Sequence, residues 1–244
     1  MVSALRCEVS EYEIQIWAKA YENLLQSLTS NRARGLNKKT SAALRGNGMD
    51  AVRGLVHGGK TFRIAQRLLQ KYPALEGPMI EVGAGWGPFA FAAADYAFTP
   101  ITLMEKSKRM LEYAKAAFEK AGHKEPKCLI QDIGDHINYR NYSCFAAPFV
   151  LNELLHGVAD HEKQEAALRW VRLWMRRLRP GGRLYLIEPG TVEASEVIQK
   201  LRNKLKDEYQ IVGPCTHSMD CPMEERPKDW CHFTLRISSG PLAR

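Results

Sequence analysis

Between Pro78 and Ile187, short apolar runs alternate with longer segments of helical periodicity, and this alternation constrains the fold more than any other feature. The pattern predicts strands at 79–82, 101–104, 128–130, 145–150 and 183–187, and helices at 89–96, 106–121 and 160–179. Successive parallel strands need a crossover, usually a helix, whereas antiparallel strands can follow one another through a tight turn. The order therefore predicts an α/β fold whose parallel sheet is covered by helices on both faces.

The segments before and after this core differ from it in composition. Residues 1–76 are rich in basic side chains and show helical periodicity at 11–28 and 62–69, which predicts a basic helical N-terminal region. Residues 77–212 form the α/β domain. Residues 213–244 hold three of the six cysteines, which predicts a cysteine-rich segment that binds a metal or a cluster and ends in a final strand.

Length and composition exclude several classes of protein. The 244 residues suit one medium-sized domain with an appendage. No apolar run approaches the roughly 18–20 residues of a membrane span, and residues 1–13 resemble neither a signal peptide nor a transit peptide. We expect a cytoplasmic protein of bacterial type, and a monomer. In such a compartment cysteines are thiols or ligands rather than disulfides.

The net charge of +8 is unevenly distributed along the chain. Residues 31–71 contain ten basic side chains and a single acid, Asp50. Such a segment attracts polyanions, because each phosphate that it neutralises releases counterions. A solvated helical face would have the same composition. The block is therefore a candidate RNA-binding surface, with a solvated face as the alternative.

A glycine-rich turn, Glu81-Val82-Gly83-Ala84-Gly85-Trp86-Gly87-Pro88, joins the first predicted strand to its helix. Glycines allow a tight turn and let a ligand approach the main chain. A dinucleotide-binding fingerprint would require glycine where this chain has proline. The turn instead resembles motif I of the class I S-adenosylmethionine-dependent methyltransferases. That resemblance implies that S-adenosylmethionine is held by Glu81, Gly83, Ala84, Gly85 and Gly87.

Three further features lie in register with that family. Glu105 ends the second predicted strand, twenty residues after Gly85, where a carboxylate can accept both ribose hydroxyls of a nucleoside. Asp132 follows the third strand, where the family usually contacts the adenine amine. Residues 178–184 match the L-x-P-G-G-x-L turn that leads into the fifth strand of the family. The resemblance implies a class I methyltransferase, Rossmann-like sheet that binds S-adenosylmethionine.

The segment after the fourth predicted strand does not identify a methyl acceptor. It lacks the N-P-P-Y motif of enzymes that methylate amino groups of bases, and it lacks the Pro-Cys pair of cytosine C5 methylation. Asn152, Glu153 and His156 lie near the expected position of the methyl group. They are equally compatible with a helix start and a surface histidine.

The cysteines near the C-terminus are spaced Cys-x5-Cys-x9-Cys, with His217 and His232 between and beside them. Zinc ribbons usually show paired C-x2-C knuckles, whereas iron–sulfur sites are less regular in spacing and prefer thiolates. Buried structural thiols are the alternative to a metal site. The residue types alone therefore leave iron–sulfur, zinc and structural roles open.

Four short elements carry a more specific resemblance. They are E-P-G-T at 188–191, P-C-x-H at 214–217, C-P at 221–222 and W-C-H-F at 230–233. In this order they are similar to the methyltransferase-like proteins of the mitochondrial small ribosomal subunit and their bacterial relatives, over residues 78–237. The resemblance implies association with small-subunit ribosomal RNA in ribosome assembly or translation. It also implies a four-iron, four-sulfur cluster on Cys215, Cys221 and Cys231, with zinc as the alternative metal.

Two departures from that family bear on these expectations. Residues 56–61 differ from the corresponding segment of the relatives, and the relatives supply a fourth cysteine from a later segment. Here the candidates for the fourth ligand are Cys7, Cys128, Cys144, His217 and His232. Two other functions stay open: a non-catalytic RNA-binding assembly factor and a small-molecule methyltransferase. For RNA association, Arg169, Arg172 and Arg176 would extend the basic surface.

Overall fold

A computed structural model describes residues 58–133, 141–215, 217–224, 226 and 229–234. Several sequence predictions lie outside these residues: the helix at 11–28, most of the basic block, Cys7 and the final strand. The elements are α1 Gly58–Lys71, β1 Gly77–Val82, α2 Pro88–Ala93, β2 Phe98–Glu105, α3 Lys108–Lys120, β3 Lys127–Ile130, β4 Tyr142–Pro148, α4 Leu151–Leu154, α5 Asp160–Met175, β5 Leu178–Ile187 and α6 Val192–Leu205.

The strands form one parallel sheet in the order β3-β2-β1-β4-β5. Glu81, in the central strand β1, pairs with Leu103 of β2 on one side and with Ala146 of β4 on the other. The strand order reverses between β1 and β4, so the loops after these two strands diverge and leave a crevice at their carboxyl ends. The predicted α/β fold with a parallel, Rossmann-like sheet is confirmed.

Helices cover both faces of the sheet, as expected for buried parallel strands. Alternate residues of β1 point to opposite faces, so Met79 belongs to one core and Ile80 to the other. The first core packs α1, α2 and α3 against the sheet, and the second packs α4, α5 and α6. Ala65 and Leu69 of α1 are buried in the first core, so this helix is integrated with the α/β domain.

Two predicted boundaries are wrong for local reasons. The helix predicted at 160–179 ends at Met175, and β5 already begins at Leu178. Pro180 disfavours helical backbone at Arg179, the residue directly before it, so the helix cannot extend to residue 179. The fourth strand ends at Pro148 rather than at residue 150, because Phe149 has a positive φ of 59°.

Helix α6 was not predicted, and the cysteine-rich segment follows it. The described residues between 210 and 234 form turns and irregular backbone. Within the described residues, the helices are too short or too polar to span a bilayer.

Candidate functional site

The predicted cofactor residues lie in loops at the carboxyl end of the sheet. Motif I follows β1, Glu105 ends β2 and Asp132 follows β3. Val150 follows β4 and Glu188 follows β5. All strands are parallel, so these five loops meet at one edge, which is where open α/β sheets bind ligands.

The motif I loop has backbone angles that favour glycine. Gly83, Gly85 and Gly87 all have a positive φ, between 55° and 76°. The loop is closed by a hydrogen bond from the Gly87 amide to the Ala84 carbonyl at 2.7 Å, and the Ala84 amide donates to Met104 of β2 at 3.0 Å. Among the described residues, a side chain at Gly85 would meet one atom within 4 Å, a methyl carbon of Met110 at 3.7 Å. Within that part of the chain, the Gly85 main chain is therefore accessible to a ligand.

Glu81 lies in β1, the strand before this loop, and binds the helix that follows the loop. Its carboxylate is fully buried and accepts hydrogen bonds from the first turn of α2, from the Phe89 amide at 3.3 Å and the Ala90 amide at 2.7 Å. Burial raises the pKa of Glu81 to about 8, while the two amides oppose the shift and the charge of Glu105 adds to it. Glu81 thus holds the helix start against β1, and its direct contact with a cofactor stays a prediction.

Glu105 connects the motif I loop to the start of α3. One carboxylate oxygen accepts from the Gly85 amide at 3.0 Å, and the other accepts from the Ser107 amide at 2.9 Å. A carboxylate has about four acceptor sites, so this arrangement leaves two of them for ribose hydroxyls. The side chain predicted to bind ribose is therefore fixed beside Gly85, the residue whose main chain is accessible to a ligand.

The loops after β1, β3 and β4 converge at Gly83. A side chain there would lie 2.7 Å from Val150 and 3.2 Å from Ile133. Asp132, next to Ile133, is exposed at the rim. The structure therefore brings Gly83, Gly85, Glu105 and Asp132 to one edge, although it does not test which of them bind a cofactor.

The acceptor side contains a second carboxylate that caps a helix. Glu188 accepts from the Leu151 amide at 2.9 Å and from the Asn152 amide at 3.2 Å, at the start of α4. Burial raises the pKa of Glu188 to about 7; the two amides oppose the shift, and the charge of Glu153 adds to it. Asn152, Glu153 and His156 are exposed on α4 and the turn that follows.

The cysteine-rich segment is anchored to the domain at its two ends. The Trp230 indole donates to the Gly190 carbonyl at 2.9 Å, two residues beyond Glu188. At the other end, the Tyr72 ring packs on Gly213, where an added Cβ would lie 2.3 Å from it. The segment therefore runs between the end of α1 and the E-P-G-T turn.

Helix α6 holds the middle of the segment. The Arg202 guanidinium donates to the carbonyls of His217 at 2.5 Å and Met219 at 2.7 Å. The side-chain oxygen of the next residue, Asn203, accepts from the Cys221 amide at 2.9 Å. Sequence reasoning missed both helix residues, because it did not identify α6 and both partners are distant in sequence.

Cys215 and Cys221, two of the three predicted cysteine ligands, lie near the thiol of the third, Cys231. Burial raises the pKa of Cys231, and the nearby Cys215 and Cys221 raise it further. Even so, no group of three described His, Cys, Asp or Glu side chains stands close enough to hold a metal ion. The donors suit a thiolate-bound metal in type, and the thiols would have to move closer together to bind it.

The structure also separates the candidates for a fourth ligand. Cys144 is fully buried in β4, and Cys128 lies in β3 at the edge of the sheet opposite β5. Arg202 can only donate to Nδ1 of His217, at 3.3 Å, which places the proton of a neutral ring on Nε2. The Trp230 carbonyl can only accept from Nδ1 of His232, also at 3.3 Å. In a neutral ring this hydrogen bond leaves Nε2 of His232 unprotonated, as a metal ligand requires.

Basic side chains cover the exposed side of α1. Lys60, Arg63, Arg67 and Lys71 are exposed, and the helix contains no acid. The described residues provide no ion pair for Lys60, Arg67 or Lys71. The second predicted set, on α5, packs across the sheet from α1, and its member Arg172 is paired with Glu208. The two sets are therefore separated by the sheet.

Several solved methyltransferase structures are similar to the chain. One from Clostridium acetobutylicum ATCC 824, described as S-adenosylmethionine-dependent, has 15% identity over 56% of this chain and 54% of that chain, with a TM-score of 0.42. One from Leishmania major has 16% identity over 70% and 60%, with a TM-score of 0.42. An amino pentose methyltransferase from Micromonospora echinaspora has 20% identity over 67% and 61%, with a TM-score of 0.42.

The chain thus spans little more than half the length of the first of these structures. No curated protein matches the chain. The fold assignment rests on the strand order described above. Among protein families, the profile of the mitochondrial small ribosomal subunit family Rsm22 matches residues 62–243, which is most of the sequence. The chain therefore belongs to the Rsm22 family.

Proposed function

We propose that this chain is an S-adenosylmethionine-binding, methyltransferase-like protein that associates with small-subunit ribosomal RNA in ribosome assembly or translation. The observation that carries the nucleoside site is the 3.0 Å hydrogen bond from the Gly85 amide to Glu105 at the carboxyl edge of the sheet. It fixes a carboxylate with free acceptor sites beside a main chain that is accessible to a ligand. Gly83, Ala84, Gly87 and Asp132 complete the proposed site, and Glu81 supports it.

A matched pair of glycine variants tests the nucleoside site. Gly85 and Gly122 both have a positive φ, and alanine fits sterically at either position. Each substitution should cost about 1–2 kcal/mol of stability, because a Cβ disfavours this backbone conformation. Gly85→Ala alone places a methyl group where the cofactor would lie.

Isothermal titration with S-adenosylmethionine should therefore show at least a tenfold loss of affinity for Gly85→Ala and wild-type affinity for Gly122→Ala. Equal affinities would place the nucleoside elsewhere. No binding by the wild-type chain would end the proposal of an S-adenosylmethionine site.

Membership of the Rsm22 family supports the ribosomal part of the proposal, and the exposed side of α1 supplies a surface for it. Lys60, Arg63, Arg67 and Lys71 lie within 12 residues of α1, and the axial rise from the first to the last is about 16 Å. Such a row can follow several phosphates of a nucleic acid backbone. It continues the basic block that begins at residue 31, most of which lies outside the described residues.

Two charge-reversal pairs identify the RNA-facing side. Arg63→Glu with Arg67→Glu changes α1, and Arg169→Glu with Arg176→Glu makes the same change on α5. We expect the α1 pair to weaken binding of small-subunit ribosomal RNA. It should also lower the slope of log affinity against log salt by about 1 to 2, since each phosphate contact contributes about 0.7 to 0.9. The α5 pair should leave both nearly unchanged, and the reverse result would place RNA on the other face.

The acceptor side favours one alternative, a non-catalytic assembly factor that uses the nucleoside site structurally. Glu188 is engaged with the α4 amides, and the polar residues of α4 are exposed rather than gathered in a pocket. Transfer of a labelled methyl group to small ribosomal subunits supports an enzyme. Cofactor and RNA binding without transfer supports the alternative, and transfer only to small molecules supports a small-molecule methyltransferase.

We also propose that Cys215, Cys221 and Cys231 bind a four-iron, four-sulfur cluster, with zinc as the alternative. The proximity of Cys215 and Cys221 to Cys231 supports this assignment. His232 is the proposed fourth ligand within the described residues. Anaerobic purification, a visible spectrum, and iron, sulfide and zinc quantitation test it, and a colourless protein without either metal would refute it.

The three-part division at 76/77 and 212/213, in which the N-terminal region packs on the α/β domain through α1, belongs to the same proposal, as do the cytoplasmic location and the monomeric state. Light scattering coupled to size-exclusion chromatography would test the last.

A further inference from the structure

Arg202 of α6 is an unusual residue because its charged group is buried. The side chain is only 9% exposed, although arginine is almost never fully buried unless it is paired. Its guanidinium donates to the main-chain carbonyls of His217 and Met219 and to the His217 ring. Its Nε atom is buried and has no hydrogen-bond partner among the described residues. The buried guanidinium of Arg202 therefore binds the main chain of one irregular loop.

The next residue, Asn203, binds the same loop further along. Its oxygen accepts from the Cys221 amide at 2.9 Å, and its amide nitrogen donates to Glu224. Its oxygen also accepts from Arg202 at 2.9 Å, so the two side chains act as one connected unit. Cys221 is 6% exposed at the point where this unit meets the loop.

We propose that Arg202 and Asn203 are the positioning residues of the cysteine site, and that they hold the loop 217–221 in the conformation that binds the metal or cluster. This inference rests on the cysteine-bound centre proposed above. Arg202 and Asn203 need not touch the metal. They fix the main chain that carries Cys221 and that lies between Cys215 and Cys221.

Fixing this loop has a large effect on binding, because irregular chain is costly to order. Each residue that must be ordered at binding loses conformational entropy. Hydrogen bonds to α6 already hold residues 217, 219 and 221, which lowers that cost. Residues that orient metal ligands typically change metal affinity by about 10- to 100-fold when they are replaced.

Cobalt(II) titration of the reduced chain measures this effect through thiolate-to-metal absorption bands. Arg202→Met keeps an unbranched apolar stem and removes every donor, while Leu201 and Leu205 keep α6 packed. Arg169→Met is the matched control, since it makes the same change on the exposed side of α5. We expect cobalt affinity about 10- to 100-fold weaker for Arg202→Met, intermediate for Arg202→Lys, which cannot bond both carbonyls, and unchanged for Arg169→Met.

Alkylation of individual cysteines, read by mass spectrometry, separates loop release from unfolding. Cys144 is fully buried in the central sheet and reports on the fold, whereas Cys221 reports on the loop. In metal-free Arg202→Met we expect rapid alkylation of Cys221 with Cys144 still protected.

Wild-type cobalt affinity in Arg202→Met, or a Cys221 as protected as in the wild-type chain, would overturn the inference. If Cys144 also reacts, the variant is unfolded and Asn203→Ala decides in its place, since it removes the bond to Cys221 and the contacts with Glu224 and Arg202 but keeps the Arg202 guanidinium. Wild-type cobalt affinity in a folded Asn203→Ala would then refute the role. A wild-type chain that binds no cobalt would instead refute the cysteine-bound centre itself, and the positioning role with it.

Discussion

Replacing Glu81 with glutamine should make the stability of the protein less dependent on pH. Glu81 is fully buried, and burial raises its pKa from 4.5 to about 8. The folded chain therefore binds a proton that the unfolded chain has released at neutral pH. Stability from this group is fully present below pH 4.5 and is lost as the pH rises towards 8.

The size of the effect follows from the two pKa values. Each pKa unit of difference corresponds to 1.36 kcal/mol, so a shift from 4.5 to about 8 removes about 3 to 4 kcal/mol of stability between pH 5 and pH 8. Glutamine does not titrate. Its NH2 group faces one of the two α2 amides that Glu81 accepts from, which adds a destabilisation of about 1–2 kcal/mol that does not change with pH.

Urea unfolding at pH 5, 6.5 and 8, followed by circular dichroism, measures the difference between the two proteins. Between pH 5 and pH 8, we expect the free energy of unfolding of Glu81→Gln to rise by about 3 to 4 kcal/mol relative to that of the wild type. This rise does not depend on how far the two proteins differ in stability at pH 5. A difference that stays constant would refute the reasoning. It would mean that the amides of Phe89 and Ala90 offset the whole cost of burying the charge, so that Glu81 titrates in its ordinary range.

Two further outcomes follow from the same structure. Burial raises the pKa of Glu188 to about 7, so Glu188→Gln should also gain stability relative to wild type as the pH rises from 5, by about 2 to 3 kcal/mol by pH 8. Most of that gain in stability should come below pH 7. A stability difference that still rises steeply above pH 7 would contradict a pKa of about 7 for Glu188. In cobalt titration, His232→Ala should weaken binding because its Nε2 is unprotonated, whereas His217→Ala should weaken it less, and equal losses would refute the assigned tautomers.

The sheet and its carboxyl edge could be predicted from sequence because their signals are local. Strand-length apolar runs, the motif I glycines and Glu105 at the end of β2 each depend on neighbouring residues. The predicted ends of helices and strands were wrong where a single residue overrides the periodic pattern. Arg176, Arg177 and Arg179 would match the dipole of a helix that ran to residue 179. However, Pro180 disfavours helical backbone at Arg179.

Helix α6 could have been predicted, but its function could not. Apolar residues recur at 194, 197, 198, 201 and 205, which is helical spacing, and Thr191 caps the helix through its side chain. The helical spacing of apolar residues places Arg202 next to the buried Leu201. However, a basic residue at such a position usually predicts a solvated side chain. The Arg202 side chain is buried because it donates to two main-chain carbonyls of an irregular loop, 15 and 17 residues later in the chain. Sequence patterns carry no signal for such a contact.

Glu81, which is fully buried, and Glu188, which is partly buried, each accept hydrogen bonds from the start of a helix. Glu81 joins β1 to the helix that follows it, so its effect is confined to the motif I loop. Glu188 joins the end of β5 to α4, a helix that comes earlier in the chain, and so ties two acceptor-side loops together. Two residues further, Gly190 accepts the bond from Trp230, which directly precedes Cys231. The E-P-G-T turn therefore links the acceptor-side helix to the cysteine segment, and a change in how that segment is held would reach α4 through Glu188.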